Sequence, residues 1–397
     1  MISCAEKTIA LTGIGQSEIT RKPSDKSALS LTLAACLTAI DDAGLDRTDI
    51  DGIATWPGRT DADPGLGPVG VMEVKEALGL NLSWFMSCGE TSSALGPGFD
   101  AMSAIISGRA NHVLVFRSVV EATTRAQSGS KTAQTGARVP DSRFQWQVPF
   151  GALSAANWCA IYAARHFHEF GTTAEQLGQI AVNARRNAVL NPKAVMRGSM
   201  TIDDYLNARM ISTPLRLFDC DVPVDASTAL IFSRLDASKD LRHPIIRVEA
   251  VGSAAHGRYS WDQRADLTTM GAHDAAKMMW SRTDLKPKDV ELAGLYDGFS
   301  ILTLLWIEAL GFAAHGEGGR FIEGGHRIAR DGLLPLNPHG GQLSEGRTHG
   351  LGFVHEALLQ MRGTAGLRQI PRLPRVAVIG VGGGPIAGSM LLVRASG

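Results

Sequence analysis

Apolar and polar positions alternate along the chain in two registers. Short apolar or β-branched runs at 8–14, 112–116, 229–232, 245–251 and 376–381 have the length of strands buried on both faces. Between them lie longer segments of helical period. The alanine-rich ones predict helices over 28–43, 93–107 and 152–170, and Thr172 with Glu175 reads as a capping box for the helix that follows. Strands alternating with helices indicate an α/β layered protein.

Part of this pattern repeats. Leu45-Asp46-Arg47-Thr48-Asp49-Ile50 precedes an apolar run at 52–55, and Leu285-Lys286-Pro287-Lys288-Asp289-Val290 precedes another at 292–296, an offset of 285 − 45 = 240 residues. That spacing is too long for a solenoid and predicts two similar α/β halves, residues 1–240 and 241–397. The stretch from about 120 to 215, richer in Arg, Gln, Asn and helix formers, reads as an insertion covering one end of the first half. The uncharged stretch 376–393 carries Pro385 and several glycines in its middle, so it predicts a strand, a glycine turn and a second strand, not a membrane span.

Charge removes further classes. With 39 basic and 39 acidic side chains, the chain has no electrostatic footprint for nucleic acid or an anionic membrane surface, so a charged substrate needs a local patch. Its five cysteines, Cys4, Cys36, Cys88, Cys159 and Cys220, show no C-x-x-C spacing, which disfavours a disulfide framework or a structural zinc site and suggests the reducing cytoplasm. No basic region followed by an apolar run opens the sequence, so a signal peptide is not expected.

Two glycine turns resemble dinucleotide-binding loops and fail on spacing. After Gly13-Ile14-Gly15 the third glycine position is Glu18, and after Gly380-Val381-Gly382 it is Pro385. Three other segments carry candidate chemistry. Cys88, in Met86-Ser87-Cys88-Gly89-Glu90-Thr91-Ser92-Ser93-Ala94-Leu95, precedes an alanine-rich helix whose dipole would lower a thiol pKa; a small buried core residue is the alternative. Tyr296 opens Tyr296-Asp297-Gly298-Phe299-Ser300 at a strand end, as an acid/base group or as a loop anchor. Asn337-Pro338-His339-Gly340-Gly341-Gln342-Leu343-Ser344-Glu345-Gly346-Arg347-Thr348-His349-Gly350 is a glycine-punctuated loop leading to His355. Its histidine gaps of 10 and 6 match no helical metal-ligand pair, so no metal is expected. Its glycines suit close approach of backbone to a thioester or acyl group.

In this order the segments resemble the thiolase superfamily, in its sterol-carrier-protein and lipid-transfer branch. The resemblance spans the chain. The family's N-N-N-C-x-T-G-S-x-A-L is similar to the Cys88 segment, its H-D-C-F-S to Tyr296–Ser300, and its N-P-S-G-G-x-x-S-K-G-H-P to the Asn337 loop. Asn191-Pro192, Pro214-Leu215-Arg216-Leu217 with Cys220, and Glu308-Ala309-Leu310-Gly311 with Gly316-Glu317-Gly318 add to it. The resemblance implies a duplicated αβαβα fold of five layers, with the helices after Cys88 and Gly350 meeting at the centre. It also implies a twofold homodimer formed through the region 82–119.

Departures from the family decide the chemistry it implies. Arg347 stands where thiolases place the histidine that activates the cysteine, and Gly380 where they place a second, acid/base cysteine. Arginine stays protonated, so it cannot serve as that base. The Y-D-x-F form at Tyr296, with Gly340-Gly341-Gln342-Leu343-x-Glu345 and His349-Gly350, resembles the branch's steroid side-chain aldolases, although their second tyrosine is Arg347 here. That resemblance implies a retro-aldol carbon–carbon lyase acting on a β-hydroxyacyl-CoA, alongside a small OB-fold or zinc-ribbon partner. In it a Tyr296 phenolate takes the proton, Arg347 and glycine-loop amides hold the oxyanion, His349 relays a proton, and Asp297 joins the catalytic set. Gly340, Gly341, Gly382 and Gly383 would contact the CoA thioester. The alternatives are an acyltransferase using Cys88, or a non-catalytic subunit or lipid-binding protein.

Overall fold

The structure, a computed structural model, describes residues 4–61, 63–128, 145, 147–152, 154–238 and 242–395. Its strands are β1 (Ile9–Gln16), β2 (Gly52–Thr55), β3 (Trp84–Ser87), β4 (His112–Val120), β5 (Met210–Ser212), β6 (Leu215–Arg216), β7 (Asp225–Arg234), β8 (Ile246–Ala254), β9 (Leu292–Leu295), β10 (Val376–Gly383) and β11 (Ile386–Arg394). Strands β5 and β6 form a small hairpin, and the other nine form one sheet in the order β3-β2-β4-β7-β1-β8-β11-β10-β9.

That order is nearly a palindrome about its centre, where β1 meets β8 antiparallel at Ala10 and Arg247. Moving outward, β1, β7 and β4 pair antiparallel and β4 runs parallel to β2; β8, β11 and β10 pair antiparallel and β10 runs parallel to β9. The sequence repeat shows in local detail too. The Asp46 amide donates to the Asp49 carboxylate at 2.8 Å, and the Lys286 amide to that of Asp289 at 2.8 Å, each closing a short 3-10 turn before a strand. The two sets of strands share a single hydrogen-bonded sheet.

Period-two alternation distributes the strand side chains among three cores. In β10, Val376 and Val378 enter one core, and Ala377, Ile379 and Val381 another; in β7, Leu230 and Phe232 share that second core, and Ala229 and Ile231 a third. Helices Gly96–Ile106 and Leu351–Arg362 occupy the shared central core through Ala101, Met102, Ile105, Val354, Leu358 and Met361. Their leading ends touch: a Cβ at Gly350 would lie 2.8 Å from the Ala94 Cβ. Helices Ala28–Ala43 and Val71–Leu78 cover the first outer face. Helices Ala155–Phe170, Ala174–Val189, Gly271–Trp280 and Ser300–Ala309 cover the other. The two strand sets of the one sheet, with helices between them and on both outer faces, make the five layers.

Two expectations are corrected and a third, the hairpin, holds. The described part of 120–215 packs mainly on strands and helices of the second half, because Tyr162, Leu177 and Ile180 share a core with Leu304, Trp306 and Val378. The capping box belongs to Thr173 and Gln176, while the Thr172 hydroxyl bonds His166 at 2.9 Å. The stretch 376–393 is the β10–β11 hairpin. Gly13 and Gly15 lie within β1 beneath the helix Ala28–Ala43, where a Cβ would come within 2.2 Å of the Ala39 carbonyl and 2.0 Å of the Ala35 carbonyl. Those glycines permit close strand–helix packing, so Gly15→Ala should destabilise the fold by about 1–3 kcal/mol, the usual effect of overpacking. Urea unfolding measures this, and an unchanged midpoint would contradict it.

Candidate active site

Tyr296 immediately follows β9, where its amide donates to the Gly380 carbonyl at 2.8 Å. Asn337 fixes the same strand end, accepting from the Leu295 amide and donating to the Leu295 carbonyl, both at 2.8 Å. Asn337 is in turn held from the helix Ala174–Val189. Asn183 and Asn187, one turn apart on a single helical face, donate to the Leu336 carbonyl, and Asn187 also to that of Asn337; Asn191 beyond the helix reaches the His339 carbonyl. Three asparagines thus carry the glycine loop to the tyrosine.

Gln342 is the hub of that loop. Its amide donates to Asp297 at 2.8 Å, and its side-chain oxygen accepts from the His349 amide at 3.1 Å. Asp297 is fully buried, and burial pushes its carboxyl up to about 7 against the opposing effect of backbone amides. A Cβ at Gly341, whose φ is +59°, would lie 1.8 Å from an Asp297 oxygen. The His349 ring faces Tyr296 edge-on at 6.3 Å between centroids and lies 5.9 Å from Trp56. Burial, with Arg117 and Arg347 nearby, drives His349 well below the ordinary histidine range, so it is a neutral imidazole.

Arg347 is clamped. Its Nε donates to Glu121 at 2.5 Å, a second guanidinium nitrogen bonds the other Glu121 oxygen, and a third lies 3.5 Å from Asp221. Burial opposes its charge, but the two carboxylates outweigh that and raise its pKa. Burial also pushes Asp221 up to about 6, with Arg347 pulling the other way. Arg117 donates to the carbonyls of Leu66 and Ser118 and packs on Trp56 at 5.4 Å.

The segment 220–222 laces these groups together. Cys220 bridges Phe299, the Asp221 amide donates to the Gly298 carbonyl at 3.1 Å, the Val222 amide to Gln342 at 3.1 Å, and the Arg347 amide to the Val222 carbonyl at 2.8 Å. Asp221, Arg347, Phe299 and Leu343 line a cavity of about 890 Å³ that also presents Arg21, Arg125 and Arg185. A second cavity, of about 680 Å³, is walled by Trp56, Glu90, Ser92, Ser253, His256 and Tyr259.

The structure therefore brings Tyr296, Asp297, Arg347 and His349 together and alters what each can do. Burial pushes the Tyr296 hydroxyl above the ordinary tyrosine range, Asp221 adds to the shift, and Arg347 only partly offsets it. A neutral phenol donates a hydrogen bond and does not stand as the expected phenolate. Arg347 directs most of its donors into internal carboxylates. Cys88 follows β3 by one residue and precedes the helix Gly96–Ile106 by eight, so the expected activation by a helix end is absent. Burial raises its pKa, and the Asp100 carboxylate adds to the rise. The glycines expected to admit a thioester abut protein: Gly340 faces Ala188, Gly341 Asp297, Gly382 the Ile386–Ala387 backbone, and Gly383 Leu302. Glu121, Asp221 and Arg117 escaped the sequence reading. The one available signal was Arg347 itself, a cation in a glycine-rich loop that, once buried, requires carboxylates.

A duplicated sheet wrapped around two central helices, with strand-end loops converging on one buried polar cluster, defines a thiolase-type fold. Residues 253–394 match the family described as thiolase C-terminal domain-like. The chain is 34% identical to a steroid side-chain-cleaving aldolase of Thermomonospora curvata, over 96% of this chain and 97% of that one. It is 31% identical to a 17-hydroxy-3-oxo-4-pregnene-20-carboxyl-CoA lyase of Mycobacterium tuberculosis, over 96% and 98%. The solved Ltp2-ChsH2(DUF35) aldolase superposes with a TM-score of 0.87 at 31% identity, covering 98% of each chain. The chain belongs to the thiolase superfamily, in the branch that contains these side-chain-cleaving aldolases.

Two outcomes follow from the electrostatics. Iodoacetamide labelling of Cys88, read by peptide mass spectrometry, should be slow at pH 7 and accelerate above pH 9; fast labelling at pH 7 would contradict the raised pKa. Glu121→Ala strands much of the Arg347 charge and should cost about 3 kcal/mol in denaturant unfolding, as removing one member of a buried pair does. The double variant with Arg347→Ala should recover part of that loss.

Proposed function

We propose that the protein is a carbon–carbon lyase that cleaves a β-hydroxyacyl-CoA thioester by retro-aldol chemistry. What supports this reading is a half-buried Tyr296 at the end of β9, whose phenol burial favours in the neutral form, and a Cys88 that stands eight residues before its helix with a raised thiol pKa. Retro-aldol cleavage takes the proton from the β-hydroxyl, breaks the Cα–Cβ bond and leaves a thioester enolate to be stabilised and reprotonated. A phenol held in its neutral form suits the enolate oxygen, to which it donates a hydrogen bond. Acyl transfer needs a thiolate, which burial and Asp100 oppose at Cys88.

Arg21, Arg125 and Arg185 around the larger cavity give an otherwise neutral chain a local cationic patch suited to the phosphates of CoA. Its volume accommodates a substantial part of such a ligand. A steroid acyl group is the substrate class supported by the relatives' names. Within this reading His349 packs edge-on against Tyr296 as a neutral imidazole, Asp297 positions the glycine loop by accepting from the Gln342 amide, and the halves 1–240 and 241–397 act as one unit. Twofold pairing through 82–119 is part of it, and β3 there is an edge strand exposing Phe85. So is a small OB-fold or zinc-ribbon partner; the solved Ltp2-ChsH2(DUF35) aldolase likewise joins two proteins in its name. No helix of the described residues is long and apolar enough to cross a membrane.

Tyr296→Phe removes only the hydroxyl and should lower cleavage by about 10² to 10⁴ while leaving thioester binding nearly unchanged. Cys88→Ala should retain turnover, and intact-mass measurement with acyl-CoA should show no acyl group on the protein. Abolished turnover in Cys88→Ala together with an unaffected Tyr296→Phe would replace this reading with an acyltransferase.

A further inference from the structure

We infer that Asp221 is the catalytic base of this site, accepting the β-hydroxyl proton with Arg347 holding its carboxylate at the cavity wall. The inference rests on the retro-aldol reading and supplies the group that reading leaves open once Tyr296 is neutral.

Geometry selects Asp221 from the neighbouring groups. Of Tyr296, Asp297, Glu121, His349 and Asp221, only Asp221 lines the 890 Å³ cavity, beside Arg347. Backbone hydrogen bonds at Asp221 and Val222 tie it to the Gly298 turn and to Gln342, so its position is set by both loops that carry the site. Glu121 has both oxygens bound to Arg347, and Asp297 is fully buried against the Gln342 amide. His349 is too weakly basic, since burial and the cations Arg117 and Arg347 oppose its protonation. Arg347 approaches Asp221 only to 3.5 Å, which leaves the carboxylate able to accept another proton.

The chemistry balances on this carboxylate. An Asp221 oxygen takes the proton as the β C–O becomes a carbonyl, and the Cα–Cβ electron pair moves into the thioester as an enolate. The carboxylic acid then returns its proton to Cα, releasing the shortened acyl-CoA and a ketone or aldehyde. Asp221 ends as it began. The charged or titratable groups acting on it are Arg347 and Arg125, which favour its anion, and Glu121, which opposes it. In the other direction, Asp221 raises the pKa of Tyr296, Asp297, Cys159 and Cys220. With burial they bring Asp221 to about 6, so the base is ionised above that pH and lost below it.

The test is kcat and KM from pH 4.5 to 9 for the full chain with a β-hydroxyacyl-CoA, for wild type, Asp221→Asn and Asp221→Glu. Wild-type kcat/KM should fall about tenfold per unit below about pH 6. Asp221→Asn should lose about 10² to 10⁴ in kcat with KM within about threefold, and its residual rate should lack the acid limb. Asp221→Glu, which keeps a displaced carboxylate, should regain the limb at a rate at least about tenfold above Asn. An Asn variant within tenfold of wild type that keeps the limb, or one changed only in KM, would overturn the assignment. Should Asn fail to fold by circular dichroism, the Glu variant decides, because a Glu variant that lacks the acid limb would overturn it. A wild-type protein that cleaves no β-hydroxyacyl-CoA would remove the lyase reading and this assignment with it.

Discussion

A buried arginine needs its carboxylates, and at Arg347 that need joins three separate parts of the chain. Glu121 stands at the end of β4, Asp221 in the segment leading to β7, and Arg347 in the glycine loop of the second half. A guanidinium removed from water and left unpaired would carry a penalty of several kcal/mol, so these segments are held in one arrangement. The lacing of 220–222 to Gly298, Gln342 and Arg347 extends the same constraint to Tyr296.

Burial then determines the chemistry. It raises the phenol of Tyr296 and the carboxyls of Asp221 and Asp297, lowers the imidazole of His349, and raises the Cys88 thiol. Desolvation favours the neutral form of each, which yields hydrogen-bond donors and weakly acidic carboxyls in place of strong nucleophiles. Groups favoured in their neutral forms, beside an arginine clamped by two carboxylates, suit proton transfer. Acyl capture has little support from the same groups.

Much of the fold was legible because strand alternation and alanine-rich helices are local signals. The 240-residue offset was legible because both copies close the same aspartate-capped turn. The placement of Tyr296 at a strand end and of the Asn337 loop beside it was legible from the apolar run and the glycines. The meaning of the glycines was not: Gly341 is small to clear Asp297, and Gly15 to clear a helix carbonyl, contacts that depend on residues distant in sequence. Nor could spacing show where the helix after Cys88 begins, since the alanine-rich run reads as helical over 93–107 although the helix is Gly96–Ile106. Asp221 and Glu121 had no periodic signature, because a carboxylate buried against an arginine looks in sequence like any surface acid.

The most direct test of the account is product analysis in D₂O with a β-hydroxyacyl-CoA and no added free CoA. The account predicts equal amounts of a carbonyl compound and a shortened acyl-CoA, one solvent deuterium at Cα of that acyl-CoA, and no mass added to the protein. Cleavage that required free CoA, or an acyl group retained on Cys88, would contradict it.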